Sequence, residues 1–472
     1  MIKKQILAVS LALFSCSLQA KDKEPNVILV FVDDFGYGDL ACYGNPYHRT
    51  PVFDNMAKEG VKLTDFYVGS SVSSPSRSAL LTGSYPKRVS MHVNADPLPL
   101  MGKSRQVLFP ISMKGLNPSE VTIAEMLRAN GYKTACIGKW HLGDQLAFLP
   151  TRQGFDYFYG LPYSHDMDKD YCPLPMMEQE RVVEAPVKPD SLTYKLTRKA
   201  VSFIRSNKKE PFFLYLAHGM THKPLDASPR FKGKSKNGLY GDAVEELDWS
   251  MGELFKTLRE EGLDNHTIVI FTSDNGAAKG AGGSNKPLRD WKASTYEGGF
   301  RVPCLIRYPG VIPANTVCSD IITAMDIMPT VAGYCRAKLP SDRKLDGLDV
   351  SSLIEGKQKK IGERVFYYYQ RNQLQAVRYG KWKYHLGLEK RLLNAASDKM
   401  EASSPSLYNL ERDIAETHNV VNENPEIERI MKKLISDARQ DLGDWNFEGK
   451  GIRPAGVIDE PFGRFLLDNV NN

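Results

Sequence analysis

Val27-Ile28-Leu29-Val30-Phe31-Val32-Asp33-Asp34 is the stretch on which the fold turns. An unbroken apolar, β-branched run of this kind is the pattern of a parallel strand covered on both faces. Asp33 and Asp34 stand at its carboxyl end, followed by Gly36 and Gly38. In open α/β sheets that end is where ligands bind.

Strand and helix patterns alternate outward from it. Thr50-Pro51 opens a short helix that stops at Gly60, and Val61 to Val68 reads as a second strand. Thr122 to Ala129 reads as a helix closed by Gly131, and Lys133 to Ile137 as the next strand, running into Gly138-Lys139-Trp140-His141. Phe212 to Leu216 is a further strand and delivers His218, His222 and Lys223. Val244, Leu247, Met251, Leu254, Phe255 and Leu258 share one helical stripe. Thr267 to Phe271 is again a strand, ending at Ser273-Asp274-Asn275-Gly276. This alternation predicts an α/β fold with a large, mostly parallel sheet flanked by helices.

Near residue 360 the pattern changes to aromatic, alternating runs, Val365 to Tyr369 and Gln375 to Leu386 around Tyr379-Gly380, then an amphipathic helix from Ile427 to Leu442. The expected organisation is residues 1–20 as a signal peptide, 21–360 as the main domain, and 361–472 as a small α+β domain with an antiparallel sheet. The aperiodic stretch from Met91 to Pro118 reads as a loop near the site.

Lys3 and Lys4, the apolar run from Ile6 to Phe14 and the small Ala20 are the marks of a cleaved export signal, so the expected location is periplasmic or secreted. Leu13-Phe14-Ser15-Cys16 is a weaker match to a lipoprotein signal. No other run is long and apolar enough for a membrane span. The formal net charge of +6 is small and dispersed, with no arginine-rich tract, which argues against nucleic acid as a partner. The seven cysteines contain no Cys-x-x-Cys pair, against a zinc knuckle, and Cys136 and Cys304 read as buried thiols.

Chemistry concentrates in a few places. Ser73-Ser74-Pro75-Ser76-Arg77 precedes Ser78-Ala79-Leu80-Leu81, which reads as the first turns of a buried helix. Ser73 would then lie at a helix N-terminus, where free N–H groups favour an anion; an ordinary serine cap is the equal alternative for this stretch alone. Strand ends add Asp33 and Asp34, Lys139 and His141, and Asp274 and Asn275. Three carboxylates and an amide are hard oxygen donors that suit Ca²⁺ or Mg²⁺. Lysines beside such a cation would hold an anion, and histidines would move protons.

Ser73-x-Pro75-Ser76-Arg77 with Leu81-Thr82-Gly83 resembles the signature of the sulfatase family, in the alkaline phosphatase superfamily. Asp33-Asp34, Gly138-Lys139-Trp140-His141, Thr221-His222-Lys223-Pro224, Asp274-Asn275-Gly276, and Leu288-Arg289-x-x-Lys292 running to Pro303 resemble the family in the same order. Leu407-Tyr408-Asn409-Leu410 extends the likeness into the C-terminal region. The resemblance implies that Asp33, Asp34, Asp274 and Asn275 bind Ca²⁺, with the modified Ser73 as a further ligand. It implies that Ser73 is oxidised to formylglycine by a serine-oxidising maturation enzyme, many relatives having Cys there. One hydroxyl of its hydrate would attack sulfur while Lys139 and Lys292 stabilise the sulfuryl oxygens, and Arg77 would hold the hydrate. His222 would be the general acid, and His141 would deprotonate the second hydroxyl to expel sulfate.

Gly160 to Asp166 and Gly282 to Asn285 resemble the arylsulfatase A and N-acetylgalactosamine-6-sulfatase branches. The expected substrate is a sulfated carbohydrate, galactose or N-acetylgalactosamine sulfate at O4 or O6, attacked from a chain end during desulfation of host or dietary glycans. His165, Asp166 and Arg371 are the candidate sugar contacts. Two other readings stand beside this one: a phosphatase or phosphodiesterase of the same superfamily, which usually needs a second metal, and a non-catalytic binder of sulfated glycans in which Ser73 is never oxidised.

Overall fold

The computed structural model describes residues 24–93, 106–167, 173–394 and 398–464. The expected signal peptide and Cys172 lie outside them. Ten strands build one large sheet: β1 (Asn26–Val32), β2 (Val61–Leu63), β3 (Lys133–Lys139), β4 (Tyr157–Leu161), β5 (Met176–Glu178), β6 (Arg181–Glu184), β7 (Phe212–Ala217), β8 (Thr267–Ser273), β9 (Cys304–Arg307) and β10 (Thr316–Cys318). Their order across the sheet is β10-β2-β9-β8-β1-β7-β3-β4-β5-β6. The central five, β8 to β4, run parallel, with antiparallel pairings on both flanks. The sheet is therefore mixed, with a parallel heart.

Strand β1 shows why the apolar run had to be central. Val27, Leu29 and Phe31 point to one face, where Leu80, Leu81, Ile123 and Leu127 cover them. Ile28, Val30 and Val32 point to the other, against Phe53, Leu196, Leu247, Met251 and Leu254. The helices concerned are α1 (Pro51–Glu59), α2 (Ser73–Thr82), α3 (Ile123–Ala129), α4 (Leu192–Ser206) and α5 (Gly238–Glu260). Burying each such side chain contributes about 1.5–3 kcal/mol, so a polar substitution on either face of β1 has nowhere solvated to go. Helix α3 starts where a capping box forms, the Thr122 side chain accepting from the Glu125 N–H and the Glu125 carboxylate accepting from the Thr122 N–H.

The expected strand from Val61 to Val68 is broken. Val61–Leu63 pairs within the large sheet, whereas Phe66–Tyr67 pairs with Ile322–Thr323 in a separate ribbon. The cause is Asp65, whose carboxylate turns inward to meet Arg301 at 2.7 Å and Arg378 at 2.8 Å. Ser73 thus arrives from outside the large sheet.

A four-stranded antiparallel sheet follows: β11 (Val365–Gln370), β12 (Gln373–Tyr379), β13 (Trp382–His385) and β14 (Ser406–Asn409), backed by helix α6 (Pro425–Leu442). Its core also takes in Tyr67, Ala79, Tyr85 and Phe300. A buried ionic cluster completes the seam: Glu297 accepts from Tyr368 at 2.8 Å and Lys383 at 2.9 Å, and Lys383 also meets Glu416 at 3.0 Å.

Candidate active site

Strand ends converge on Ser73, the first residue of α2, a helix buried along its whole length. Its Oγ lies 2.6 Å from Asp274 Oδ2 and 3.0 Å from Asp33 Oδ1. The Asp34 N–H donates to Asp274 Oδ1 at 3.1 Å, tying the ends of β1 and β8 together. Asp33, Asp34 and Asp274 are the one group among the described residues with three such ligand atoms within 4.8 Å of one another.

Three cations surround them. Lys139, the last residue of β3, donates to Asp33 Oδ2 at 2.5 Å, Ser73 Oγ at 3.3 Å and Ser164 Oγ at 3.2 Å. Gly138 makes this placement possible: its φ is +121°, and a Cβ there would sit 1.9 Å from the Ala217 carbonyl oxygen. Arg77, one turn into α2, donates to Asp274 Oδ2 at 2.9 Å, the Lys139 carbonyl at 3.2 Å and Tyr215 at 3.3 Å. Lys292 Nζ lies 2.7 Å from Asp34 Oδ1 and 2.9 Å from Oδ2.

Burial penalises every charge here, and the neighbours decide the outcome. Burial works against the Asp33 carboxylate, but Lys139, His222 and Arg77 hold its pKa well below the ordinary value. Burial and the charge on Asp33 push Asp274 up to about 7. Lys292 is buried too, yet Asp34 and Asp33 raise its pKa.

The donor set fits a hard dication. Asn275 Nδ2 donates to Asp34 Oδ1 at 2.7 Å and to the Gly276 carbonyl at 3.0 Å, which fixes the amide orientation. Its Oδ1 is then a buried acceptor with no partner among the described residues, on the residue next to Asp274. An orphaned buried acceptor is costly, and a cation satisfies it. Since Arg77, Lys139 and Lys292 already balance the three aspartates, a dication would leave the site net positive, as an anionic substrate requires.

Histidines stand above this floor. His141 Nε2–H donates to the Leu108 carbonyl at 2.8 Å, and the Leu108 N–H in turn donates to Ser74 Oγ at 3.0 Å. The loop carrying Leu108 thus sets the tautomer, leaving Nδ1 buried and unpartnered among the described residues. Burial and then Lys139 hold the His141 pKa well below its ordinary value, so the ring is neutral. His222 Nδ1–H donates to the Lys223 carbonyl at 2.6 Å, and Nε2 lies 3.7 Å from Asp34 Oδ2.

A cleft of about 530 Å³ opens over Ser73, lined among others by Asp34, Lys139, His141, Asp166, His222, Lys292 and Arg371. Asp33, Arg77, Asp274 and Asn275 lie beneath it, fully buried. Of the expected sugar contacts, Asp166 and Arg371 line the cleft, Arg371 paired with Asp398 at 2.6 Å. His165 does not: it is 1% exposed, its Nε2 donates to the Pro224 carbonyl, and its ring packs edge-on to His222 with centroids 5.7 Å apart. Its ring supports His222. Ser164, inside the Gly160 to Asp166 segment, also lines the cleft, as do Gln106, Lys279 and Asp398, which carry no motif that marks them in the sequence.

The sulfatase family model matches residues 25–336. The chain belongs to the sulfatase family. A second model, N-sulphoglucosamine sulphohydrolase C-terminal, matches residues 290–441. Human arylsulfatase A is 36% identical, the match covering 87% of each chain. Rat N-acetylgalactosamine-6-sulfatase is 36% identical, over 81% of this chain and 75% of that protein. A solved structure from work on metabolism of multiple glycosaminoglycans by Bacteroides thetaiotaomicron superposes with a TM-score of 0.76 at 28% identity, covering 88% of this chain and 99% of that one. This sulfatase is thus a sulfuric ester hydrolase with the alkaline phosphatase-like fold of its relatives. Among the described residues no helix is long and apolar enough to cross a membrane.

Proposed function

We propose that this sulfatase is exported and removes sulfate from carbohydrates, acting at chain ends on galactose or N-acetylgalactosamine sulfate at O4 or O6. The observation that carries the catalytic part is Ser73 Oγ within 3.0 Å of two aspartates, beside the unpartnered Asn275 Oδ1. Asp33, Asp34, Asp274 and Asn275 would hold Ca²⁺, with the modified Ser73 side chain as a further donor. The cation would supply charge for the sulfuryl oxygens. Oxidised to formylglycine by a maturation enzyme, Ser73 would supply as its hydrate two hydroxyls on one carbon, one to attack sulfur and one to release sulfate.

The chain's own residues perform the rest. Lys139, bonded to Asp33, and Lys292, bonded to Asp34, would bind the sulfuryl oxygens electrostatically. Arg77 holds the Ser73 side chain's neighbours rigid through Asp274 and the Lys139 carbonyl. His222 gives a proton to the departing sugar oxygen from Nε2. His141 takes a proton at Nδ1, the nitrogen its bond to Leu108 leaves open. The sugar reading draws on the names of the relatives and on the polar cleft rim at Asp166 and Arg371. A screen of defined monosulfated monosaccharides tests it: activity confined to galacto-configured sulfates supports the proposal, and exclusive activity on glucosamine sulfates refutes it.

A further inference from the structure

Lys292 sits in a segment whose shape is unusual. Asp290 and Ala293, on either side of it, both take left-handed φ values, +68° and +67°, without being glycine. Side chains disfavour that region, so the surroundings must hold it. Part of the hold comes from the large domain. The Lys292 N–H donates to the Ala277 carbonyl at 3.0 Å, and the Ala293 N–H to the Ser71 carbonyl at 2.9 Å.

The remaining hold comes from the C-terminal sheet. Gln370, the last residue of β11 and fully buried, donates from Nε2 to the Ala293 carbonyl at 2.7 Å. Thr295 Oγ1 donates to Gln375 Oε1 at 2.8 Å and accepts from Arg391 at 2.9 Å. Glu416 closes both ends of the segment, its carboxylate accepting from the Glu297 N–H at 2.8 Å and its carbonyl from Arg289 at 2.7 Å. A lysine side chain is long and flexible, so where its ammonium group comes to rest is set by where its backbone is anchored.

We infer that the C-terminal sheet is part of the anion site, with Gln370 a positioning residue that fixes the Ala293–Ser294 peptide, and with it the left-handed turn at Ala293 that follows Lys292, so that the ammonium group meets the sulfate. This rests on the reading of Lys292 as a sulfate-binding group. No contact between Gln370 and the sulfate is needed: Gln370 acts through Lys292.

The test is a double-mutant cycle read by calorimetric titration of inorganic sulfate into the calcium-replete full chain, wild type, Gln370→Leu, Lys292→Ala and the double variant. Direct binding is measured on folded protein, so a change confined to stability leaves it unmoved. Losing the hydrogen bond should weaken sulfate binding roughly 3- to 10-fold in the wild-type background. In the Lys292→Ala background the same substitution should change nothing. Equal weakening in both backgrounds, or none in the wild-type background, overturns the inference. If Lys292→Ala alone leaves sulfate affinity intact, the reading of the anion site falls and the positioning role with it. Thr295→Val runs the same cycle with the same outcomes if Gln370→Leu does not fold.

Discussion

Arg77 offers the sharpest test of how the floor of the site is balanced. Its guanidinium is fully buried, 2.9 Å from Asp274 and 3.8 Å from Asp33, and also donates to the Lys139 carbonyl and Tyr215. Arg77→Met keeps most of the volume but gives up the cation over the Phe31 ring, and it leaves the three carboxylates with Lys139 and Lys292 as the remaining lysine and arginine partners. Breaking one side of a buried ion pair costs about 3–5 kcal/mol, and that is the loss expected in chelator. Saturating calcium returns positive charge to the same carboxylates, and the loss should shrink to about 1–2 kcal/mol. Denaturant unfolding followed by far-UV circular dichroism, in EDTA and in calcium, measures both. An identical loss in the two conditions, or no loss in EDTA, would refute the reasoning that the cation and Arg77 share these carboxylates.

Other outcomes follow from the same geometry. Gly138→Ala should sharply reduce the yield of folded protein, since its Cβ would fall 1.9 Å from the Ala217 carbonyl oxygen at a φ of +121°; normal expression and melting would contradict this. His141→Ala should lower kcat by about 100-fold or more while leaving inorganic sulfate binding within about twofold, as loss of a proton acceptor predicts. Asp441 pairs with Arg88, which holds its pKa down at about 2. A depressed folded-state pKa stabilises above the unfolded value and is lost as pH falls through the folded one. Asp441→Asn should therefore cost about 1 kcal/mol at neutral pH after solvent screening, with the gap closing between about pH 4 and pH 2 in melting experiments.

The apolar runs at Val27–Val32, Phe212–Leu216 and Thr267–Phe271 were legible because a strand covered on both faces can carry little else. The polar residues just after them were legible as a group for the same reason: each strand end exposes its next residues to one edge. What the sequence concealed depends on pairing at long range. Nothing in Thr64-Asp65 announces that Arg301 and Arg378 will draw the chain off the large sheet. Nothing local marks Glu297, Lys383 and Glu416 as buried, because Lys383 meets Glu297 from 86 residues away and Glu416 lies on a separate segment again. His165 likewise shared a motif with Asp166, yet its fate was set by His222 and Pro224 arriving from another strand end.

The central claim is that the serine at the head of α2 is a precursor, not the working nucleophile. Intact-peptide mass spectrometry over Ser73, on protein purified from its native host and assayed in parallel on a sulfate ester, tests it directly. The expected peptide is lighter than the genetic sequence by two hydrogens, with specific activity proportional to the converted fraction. Full activity in protein whose Ser73 peptide is entirely unmodified would contradict it.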